Sequence, residues 1–354
     1  MKKLFILPVT AMLVLSLMGC APNNTQTNAA PKGTDASTTN AGTGSGGQAK
    51  VKVMKMASAN AKDRSLTRGL VKFGEIVEKE TGGSVKVEVF ADGQLGGDIA
   101  VFEGMKIGSI QGATMSTGPI ASFAKRFNVF DLPFLFKDTD TAYKVLDGKI
   151  GQELLNDLPA AGVVGLSYME NGFRDLTNNK REVKSVDDVK GLKIRTLENE
   201  LHIELWKTLG AVPTPMAITE LFTALEQRVV DGQENPSGNV KLNKFYEVQK
   251  YITKTGHVYN ASPLLVSNKF WEQLSDKEKE ALKKAATEAT AWQRQENQKE
   301  TADAYDFLTK NKMTVTTLSP EEKQKFVDKL QPVYDKYKPI IGEDLVNRLL
   351  EAVK

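Results

Sequence analysis

The stretch Val51-Lys-Val-Met-Lys-Met56 alternates apolar with mostly charged side chains, which is the pattern of a half-buried β-strand. Leu66, Leu70 and Phe73 then recur at helical spacing as far as Gly82-Gly83, a glycine pair typical of a helix end. The same reasoning predicts a second strand, a second helix and a third strand over 85–90, 98–107 and 110–115. This β-α-β-α-β order predicts an α/β domain with a largely parallel sheet.

Two serines follow strands of this predicted sheet. Ser58 comes after the first strand and Ser116 after the third. In open α/β sheets the ligand crevice lies outside the carboxyl ends of the strands. Both serines are therefore candidate ligand contacts.

The middle of the chain changes to shorter predicted elements. Helices are predicted over 139–158, 185–189, 198–209 and 218–225. Strands are predicted over 163–168, 173–177, 192–195, 212–214, 251–259 and 264–266, and a further strand is predicted to begin at 229. The two strands before 178 are predicted to be separate, because Glu170-Asn-Gly172 lies between them.

Residues 276–310 contain few helix breakers and many Ala, Glu, Lys and Gln residues. They predict one unusually long helix, which at 1.5 Å per residue reaches ~50 Å. That length exceeds a single small domain, so the helix is expected to lie across two lobes. Residues 318–354 predict further helix, with breaks at Pro332 and Pro339.

The N-terminus is typical of a targeting segment. Lys2 and Lys3 precede an apolar run over 4–18, which ends at Leu17-Met-Gly-Cys20. The run is shorter than the ~20 residues that a membrane span needs. We expect a lipoprotein signal over 1–19 and lipidation of Cys20, and the alternative is an ordinary secretory signal with an incidental cysteine.

Residues 20–49 follow as a predicted flexible linker, because Asn, Thr, Ala, Gly and Ser dominate and almost no large apolar side chain is present. The remaining residues, 50–354, are predicted to form the folded domain. Together these segments place the protein in the cell envelope. It would be held by its lipid on the outer side of the cytoplasmic membrane or in the periplasm.

The composition argues against several classes of function. The chain has 47 Lys and Arg against 44 Asp and Glu, without a clustered basic face, so no nucleic-acid partner is expected. Cys20 is the only cysteine, and His202 and His257 are the only histidines. Both histidines are expected to be structural, with His202 on an exposed helix, and no metal or cofactor is predicted. A nucleophile elbow and a phosphate loop are also absent, so we do not expect an enzyme.

One arginine stands out as a binding residue. Arg195 ends the predicted strand in Gly191-Leu-Lys-Ile-Arg195, and Asn235 lies further on in the turn Val230-Asp-Gly-Gln-Glu-Asn-Pro236. The planar guanidinium fork pairs bidentately with a carboxylate. We therefore predict that Arg195 binds an organic acid. The alternatives are a surface ion pair for Arg195 and a simple turn role for Asn235.

Several motifs, in this order and spacing, resemble one family. They are Gln94-Leu-Gly-Gly97, Asn171-Gly-Phe-Arg-Asp-Leu-Thr177, Gly191-Leu-Lys-Ile-Arg195, Leu209-Gly-Ala-Val-Pro-Thr-Pro-Met216, Thr223-Ala-Leu-Glu226, Val230-Asp-Gly-Gln-Glu-Asn-Pro236 and Phe245-Tyr-Glu-Val248. The chain resembles the solute-binding proteins of tripartite ATP-independent periplasmic (TRAP) transporters over residues 50–350.

This resemblance implies two discontinuous α/β lobes joined by crossing strands and a long helix, with the ligand in the cleft between them. The first lobe would contain residues 50–171 and 260–300, and the second would contain residues 172–259 and 301–354. The cleft would close around its ligand. The closed protein, expected to be a monomer, would deliver that ligand to the small and large membrane subunits of a permease driven by an ion gradient.

The resemblance also implies roles for individual residues. Arg195 matches the arginine that binds the ligand carboxylate, and Asn235 matches an amide donor, while Glu234 would orient an arginine. Arg174 matches a second arginine that contributes to the same anionic subsite or supports it, and a structural salt bridge to Glu or Asp is the alternative. Met216 and Phe222 would pack on the carbon skeleton of the ligand, although core packing is an alternative for both. Sialic-acid-binding members have an acidic residue matching Ser116 and an arginine matching Pro119, so sialic acid is not expected here.

The identity of the acid stays open at this level. A C4-dicarboxylate such as malate or succinate would use Arg174 for its second carboxylate, and this is the favoured class. A sugar acid, such as a uronate or aldonate, would need hydroxyl-binding groups, which Ser58, Asn60, Ser116 and Thr117 could supply. A binding module for a sensor kinase is a further alternative to transport.

Overall fold

A mixed β-sheet forms the centre of the computed structural model, which describes residues 51–354. Nine strands are found in this part of the chain. They are β1 (Lys52–Ser58), β2 (Val85–Phe90), β3 (Gly112–Thr114), β4 (Val163–Asn178), β5 (Lys193–Thr196), β6 (Val212–Pro215), β7 (Gly232–Asn235), β8 (Tyr251–Ser267) and β9 (Thr314–Thr317). Their spatial order is β2-β1-β3-β8-β4-β7-β5-β6, with β9 beside β8.

The sheet is parallel at its two ends and antiparallel in its middle, except that β9 pairs in parallel with the start of β8. β1 pairs in parallel with β2 and β3, and β5 pairs in parallel with β6 and β7. The central pairs β3–β8, β4–β8 and β4–β7 are antiparallel. The predicted α/β class is confirmed, but a largely parallel sheet describes only its two ends. The β-α-β pattern that led to that prediction is confined to those ends.

Two long strands cross the middle of the sheet. β4 has 16 residues and β8 has 17, and they pair with each other along most of their length. The sequence predicted two separate strands in each case, which is wrong. Glu170-Asn-Gly172 produces a register shift against β8 rather than a turn. Gly172 accommodates this shift in a left-handed conformation, with φ of 116°, which side chains disfavour.

These crossing strands join two lobes. The first lobe is built on β1–β3, and the second is built on β5–β7, each with helices packed on the sheet. The helices are α1 (Ser65–Glu80), α2 (Asp98–Ile107), α3 (Thr117–Ile120), α4 (Thr139–Leu146), α5 (Lys149–Asp157), α6 (Glu200–Thr208), α7 (Ile218–Glu226), α8 (Ser237–Leu242), α9 (Asn268–Trp271), α10 (Asp276–Lys310), α11 (Pro320–Lys329), α12 (Gln331–Ile341) and α13 (Glu343–Ala352). The predicted two-lobed fold is confirmed.

Helix α10 has the predicted bounds and contacts both lobes. Its start is fixed by a capping box, in which Ser275 accepts a hydrogen bond from the backbone of Glu278 and Glu278 accepts one in return. Its first half packs on α1 of the first lobe, where Ala285 and Ala289 are fully buried and their small side chains allow close contact. Its second half packs on α8 and on β9. The helix therefore lies along both lobes.

Three groups of buried apolar side chains hold these layers together. One extends from the first lobe to the C-terminal helices and includes Phe127, Phe130 and Trp206. A second lies between β1, α1 and α10, and a third lies between α7, α8 and the end of α10. Burial of each such large side chain contributes ~1.5–3 kcal/mol, so these clusters supply the main favourable term in folding.

Several local predictions need correction. The predicted helix over 139–158 is two helices, because Gly148 separates α4 from α5 with an extended backbone. The strand predicted from Val229 begins at Gly232, and β9 had no counterpart in the predictions. His202 is fully buried, not exposed. The C-terminal breaks fall at Leu330 and at Gly342 rather than at the prolines.

The predicted lobe boundaries stay a prediction. Helix α12 contacts the 3₁₀ helix over Lys125–Asp131, which follows α3, and also contacts α6 of the second lobe. The predicted signal, the linker and Cys20 lie outside the described residues. Among the helices of residues 51–354, none is long and apolar enough to cross a membrane.

Candidate functional site

A small cavity of about 20 Å³ lies where the carboxyl ends of β1, β3, β5 and β7 meet, between the two lobes. Polar side chains from both lobes converge on it. Its lining consists of Ala59, Asn60, Asp98, Ser116, Pro119, Asn171, Arg195, Leu197, Glu198, Ile218, Asn235 and Asn239. The space holds about one water molecule, so a larger ligand requires the lobes or side chains to move apart.

Arg195 is the only basic residue in this lining. It lies on β5, between Thr214 of β6 and Gln233 of β7, and 1% of it is exposed. Its Nε donates to the backbone oxygen of Met216 at 2.8 Å, which fixes the plane of the guanidinium. Its Nη1 is buried without a hydrogen-bond partner among the described residues. A buried guanidinium that lines a cavity and has an unpaired nitrogen is suited to an anionic ligand.

The charge of Arg195 persists at neutral pH. Burial lowers the pKa of Arg195 to about 10, and the nearby carboxylate of Glu234 acts in the opposite direction. The side chain therefore stays protonated across the physiological range.

Arg174 lies behind the cavity and is already paired. Its Nε and Nη2 both donate to the carboxylate of Glu234, and both side chains are fully buried. Its Nη1 donates to Oδ1 of Asn260 at 3.2 Å. The positive charge of Arg174 is thus compensated within the protein, and Arg174 does not line the cavity.

Glu234 is held in its ionised form by its neighbours. Burial acts to raise the pKa of Glu234, but the attraction of Arg174 and a hydrogen bond with Nε2 of His257, at 3.2 Å, outweigh it and hold the pKa well below its usual range. Burial lowers the pKa of His257, so the imidazole is neutral at pH 7. Glu234 thus contacts both Arg174 and His257, and the orienting role of Glu234 and the structural role of His257 stay predictions.

Asparagine amides occupy much of the remaining cavity wall. Nδ2 of Asn235 donates to Oε1 of Gln233, and its Oδ1 accepts from Asn239 at 2.9 Å. Oδ1 of Asn239 has no partner among the described residues. Asn171 donates through Nδ2 to Asn260 at 2.9 Å. Asn235 therefore lies at the cavity, together with Asn171 and Asn239, and its contact with a ligand stays a prediction.

The two predicted serines differ in position. Ser116 lines the cavity, and its hydroxyl donates to Oδ1 of Asn260 at 2.9 Å. Ser58 is buried just behind it, where its Oγ lies 2.9 Å from Oγ1 of Thr67 and accepts from the backbone N–H of Asn60. Asn60, not Ser58, reaches the cavity at the end of β1.

Met216 and Phe222 do not line the cavity. Both are partly buried and pack against the apolar cluster between α7, α8 and α10. Met216 contributes to the site through its backbone oxygen, which accepts from Arg195. A contact between these two side chains and a ligand remains a prediction.

Two carboxylates in the cavity wall were not predicted. Asp98 begins α2, and its Oδ2 accepts from the backbone N–H of Ser116 at 3.4 Å. Burial raises the pKa of Asp98 to about 6, an effect that this N–H opposes and the charge of Glu198 strengthens. Burial also raises the pKa of Glu198, with Arg195 acting against it. In the sequence, Asp98 is marked only as a helix start after two glycines, and Glu198 only by its position three residues after Arg195. Neither feature indicates that the residue lines a cavity.

The wall therefore combines one guanidinium with two carboxylates and several amides. This arrangement can bind one anionic group at Arg195, while Asp98 and Glu198 accept hydrogen bonds from hydroxyl groups. A second anionic group near these carboxylates would be repelled. Within residues 51–354, no group of three or more His, Cys, Asp or Glu side chains is placed to hold a metal ion.

A wider cavity lies elsewhere, on the surface of the second lobe. It measures about 700 Å³, and Leu225, Tyr246 and Lys250 are among its lining residues. None of the predicted ligand-binding residues lines it. We take the smaller cavity as the functional site because polar groups from both lobes converge there.

Comparison with known proteins adds a family relationship. Residues 56–339 match the family described as bacterial extracellular solute-binding protein, family 7. The C4-dicarboxylate-binding protein DctB of Bacillus subtilis is 34% identical over 284 residues, which cover 80% of this chain and 81% of that protein.

Solved structures extend this relationship to proteins with bound acids. The sugar acid binding protein DctPAm of Advenella mimigardefordensis, in complex with galactonate, has a TM-score of 0.84 and 40% identity, covering 86% of this chain and 98% of that one. A TRAP periplasmic solute-binding protein of Sulfurospirillum deleyianum with bound succinate has a TM-score of 0.82 and 32% identity, covering 86% and 99%.

Proposed function

This chain belongs to family 7 of the bacterial extracellular solute-binding proteins, the solute-binding components of TRAP transporters, and we propose that it captures an organic acid through Arg195. The cleft would then close around the acid and deliver it to the small and large membrane subunits of a permease driven by an ion gradient. In this role the protein performs no reaction on its ligand.

The observation that carries this proposal is the state of Arg195. Its guanidinium is buried at the junction of the lobes, fixed by Met216, and its Nη1 is unpaired among the described residues. Leaving a buried donor unsatisfied is costly, so a ligand carboxylate that pairs with it would gain a charge-assisted hydrogen bond at little reorganisation cost.

We further propose that the ligand is a hydroxylated monocarboxylate of the sugar-acid class. A C4-dicarboxylate, favoured from the sequence, would need a second cation, but the charge of Arg174 is compensated by Glu234. Asp98 and Glu198 would repel a second carboxylate and would accept hydrogen bonds from hydroxyl groups. The galactonate-bound relative supports this choice, because it is 40% identical to this chain.

A C4-dicarboxylate remains the second candidate for a specific reason. The DctB relative is named for such a ligand, and the neighbour from Sulfurospirillum deleyianum binds succinate. For succinate to bind here, Asp98 would have to be protonated or Arg174 would have to exchange Glu234 for the ligand.

A thermal-shift panel at pH 7.5 separates these candidates. We expect D-galactonate or D-erythronate to raise the melting temperature of the protein strongly, and succinate and malate at equal concentration to raise it little. In Asp98→Asn, the ratio of succinate affinity to galactonate affinity should rise about tenfold or more, because one repulsive carboxylate is removed. Asp140→Asn, which alters an exposed carboxylate, is the matched control. A larger shift with succinate than with any sugar acid would reject the ligand class, and no shift with any acid would reject the function.

We also propose that the mature protein is a lipid-anchored monomer, with Cys20 as the modified residue. The lobe boundaries are proposed to be those predicted from the sequence. Sensing through a membrane kinase is the alternative to transport. We expect Cys20→Ser to move the protein from the membrane pellet to the soluble fraction after cell lysis, because a lipidated cysteine supplies the anchor. Equal sedimentation of both proteins would contradict the anchor without affecting the ligand-binding proposal.

A further inference from the structure

Two segments from opposite lobes touch at the edge of the cavity. One is the loop over 91–97, which connects β2 to α2 in the first lobe. The other is the segment over 217–219, which contains the N-cap and the first two residues of α7 in the second lobe. A Cβ atom placed on Gly97 would lie 2.9 Å from Cβ of Ala217, closer than side chains tolerate. A Cβ atom on Gly93 would overlap the methyl group of Thr219. The lobes approach this closely only because glycine has no side chain.

The contact is directly connected to the binding residues. Asp98 follows Gly97 in sequence, and Ile218 follows Ala217, and both line the cavity. The residue before Ala217 is Met216, whose backbone oxygen accepts from Arg195. A change in the separation of Gly97 and Ala217 therefore shifts the Arg195 side of the cavity relative to the Asp98 side.

Backbone conformation does not require glycine at position 97. Its φ and ψ are −76° and 173°, an extended conformation that alanine adopts without strain. Ala217 also has ordinary dihedral angles, −61° and 149°, at the N-cap of α7, where glycine is tolerated. The requirement at position 97 thus comes from the opposite lobe, which makes the pair suitable for a double-mutant test.

We propose that Gly97 and Ala217 are positioning residues that set how far the cleft closes, and thereby how tightly an acid of given size is held. This inference rests on the proposed function. A methyl group on Gly97 would hold the lobes apart at this edge, so that Arg195 and Asp98 could not contact one ligand at their best distances.

The first test is a double-mutant cycle with D-galactonate, measured by isothermal titration calorimetry. Gly97→Ala should raise Kd roughly tenfold, because overpacking a tight contact carries a cost of that order. Ala217→Gly should change Kd little, and the double variant should return to within about twofold of the wild-type protein. The melting temperature without galactonate should change little throughout the cycle, since the contact belongs to the closed form. An unchanged Kd in Gly97→Ala, or no recovery in the double variant, would overturn the proposal.

The second test is a disulfide cross-link across the same contact, with galactonate present to close the cleft. Cβ atoms at positions 97 and 217 would lie 2.9 Å apart, less than the ~3.8 Å of a disulfide, so a small separation of the two segments brings them to bonding distance. The pair Gly97→Cys and Ala217→Cys should therefore cross-link on oxidation. Each single cysteine variant is the control for reaction with Cys20. If no cross-link forms with or without galactonate, the closure contact is wrong. The cross-link can also form in a protein for which the proposed function is wrong. That is the case if Arg195→Ala binds the acid like the wild-type protein, or if the wild-type protein binds no acid. The contact between the lobes is then supported, and the proposed function is rejected.

Discussion

Replacing Arg195 by alanine is expected to weaken binding of the organic acid by about 100-fold or more. The wild-type guanidinium is buried in the cavity, with Nη1 unpaired among the described residues and Nε held by the backbone of Met216. Its removal would leave the ligand carboxylate in a closed cleft without a charged partner, which costs several kcal/mol. Isothermal titration with the acid that gives the largest thermal shift measures this loss.

Two further variants make the Arg195 result specific. Arg195→Lys should also bind weakly, because an ammonium group cannot form two parallel hydrogen bonds to a carboxylate. Arg348→Ala is the control, since that arginine forms only surface ion pairs and its side chain is 41% exposed. Wild-type affinity in Arg195→Ala would show that the acid is held elsewhere.

Glu234→Ala is expected to give the largest loss of stability, about 3–5 kcal/mol in the free energy of unfolding. Arg174 and Glu234 are both fully buried, and the substitution would leave the charge of Arg174 without its partner. His257 would also lose the carboxylate that its Nε2 contacts at 3.2 Å. Chemical denaturation of the unliganded protein measures the difference.

The comparison variant for this prediction is Glu204→Ala. Glu204 pairs with Lys336 at the surface, where the two side chains are 27% and 53% exposed, so the expected loss is within about 1 kcal/mol. Losses of the same size in both variants would mean that burial of the Arg174–Glu234 pair contributes nothing. That result would also weaken the argument that Arg174 is unavailable to a second ligand carboxylate.

Local sequence patterns predicted much of the fold. The alternation over 51–56 and the composition of 276–310 led to β1 and to α10. They did not predict that β4 is continuous, because Asn171-Gly172 is a typical turn signal. Pairing with β8, more than 80 residues further along the chain, keeps this segment extended. Such long-range contacts override local preference and leave no local sequence signal.

Residues of the site that belong to a sequence motif were predicted, and residues that only the packing of the lobes brings to the cavity were missed. Arg195 and Asn235 were found from motifs and lie together at the cavity. Asp98 reaches the same cavity because α2 begins at the junction of the lobes, and Phe222 packs away from it. No periodicity in the sequence indicates which loops of two lobes will meet, so the carboxylates that shape ligand choice required the structure.

The antiparallel centre of the sheet also constrains how the protein is made. In the first lobe, Gly112 of β3 pairs with Val266 of β8, and in the second, Asp175 of β4 pairs with Asn235 of β7. The first lobe, although it begins the chain, cannot complete its sheet until synthesis has passed residue 267. A growing or partly exported chain thus has no finished first lobe to obstruct its passage, and both lobes reach their final form only after most of the polypeptide has emerged.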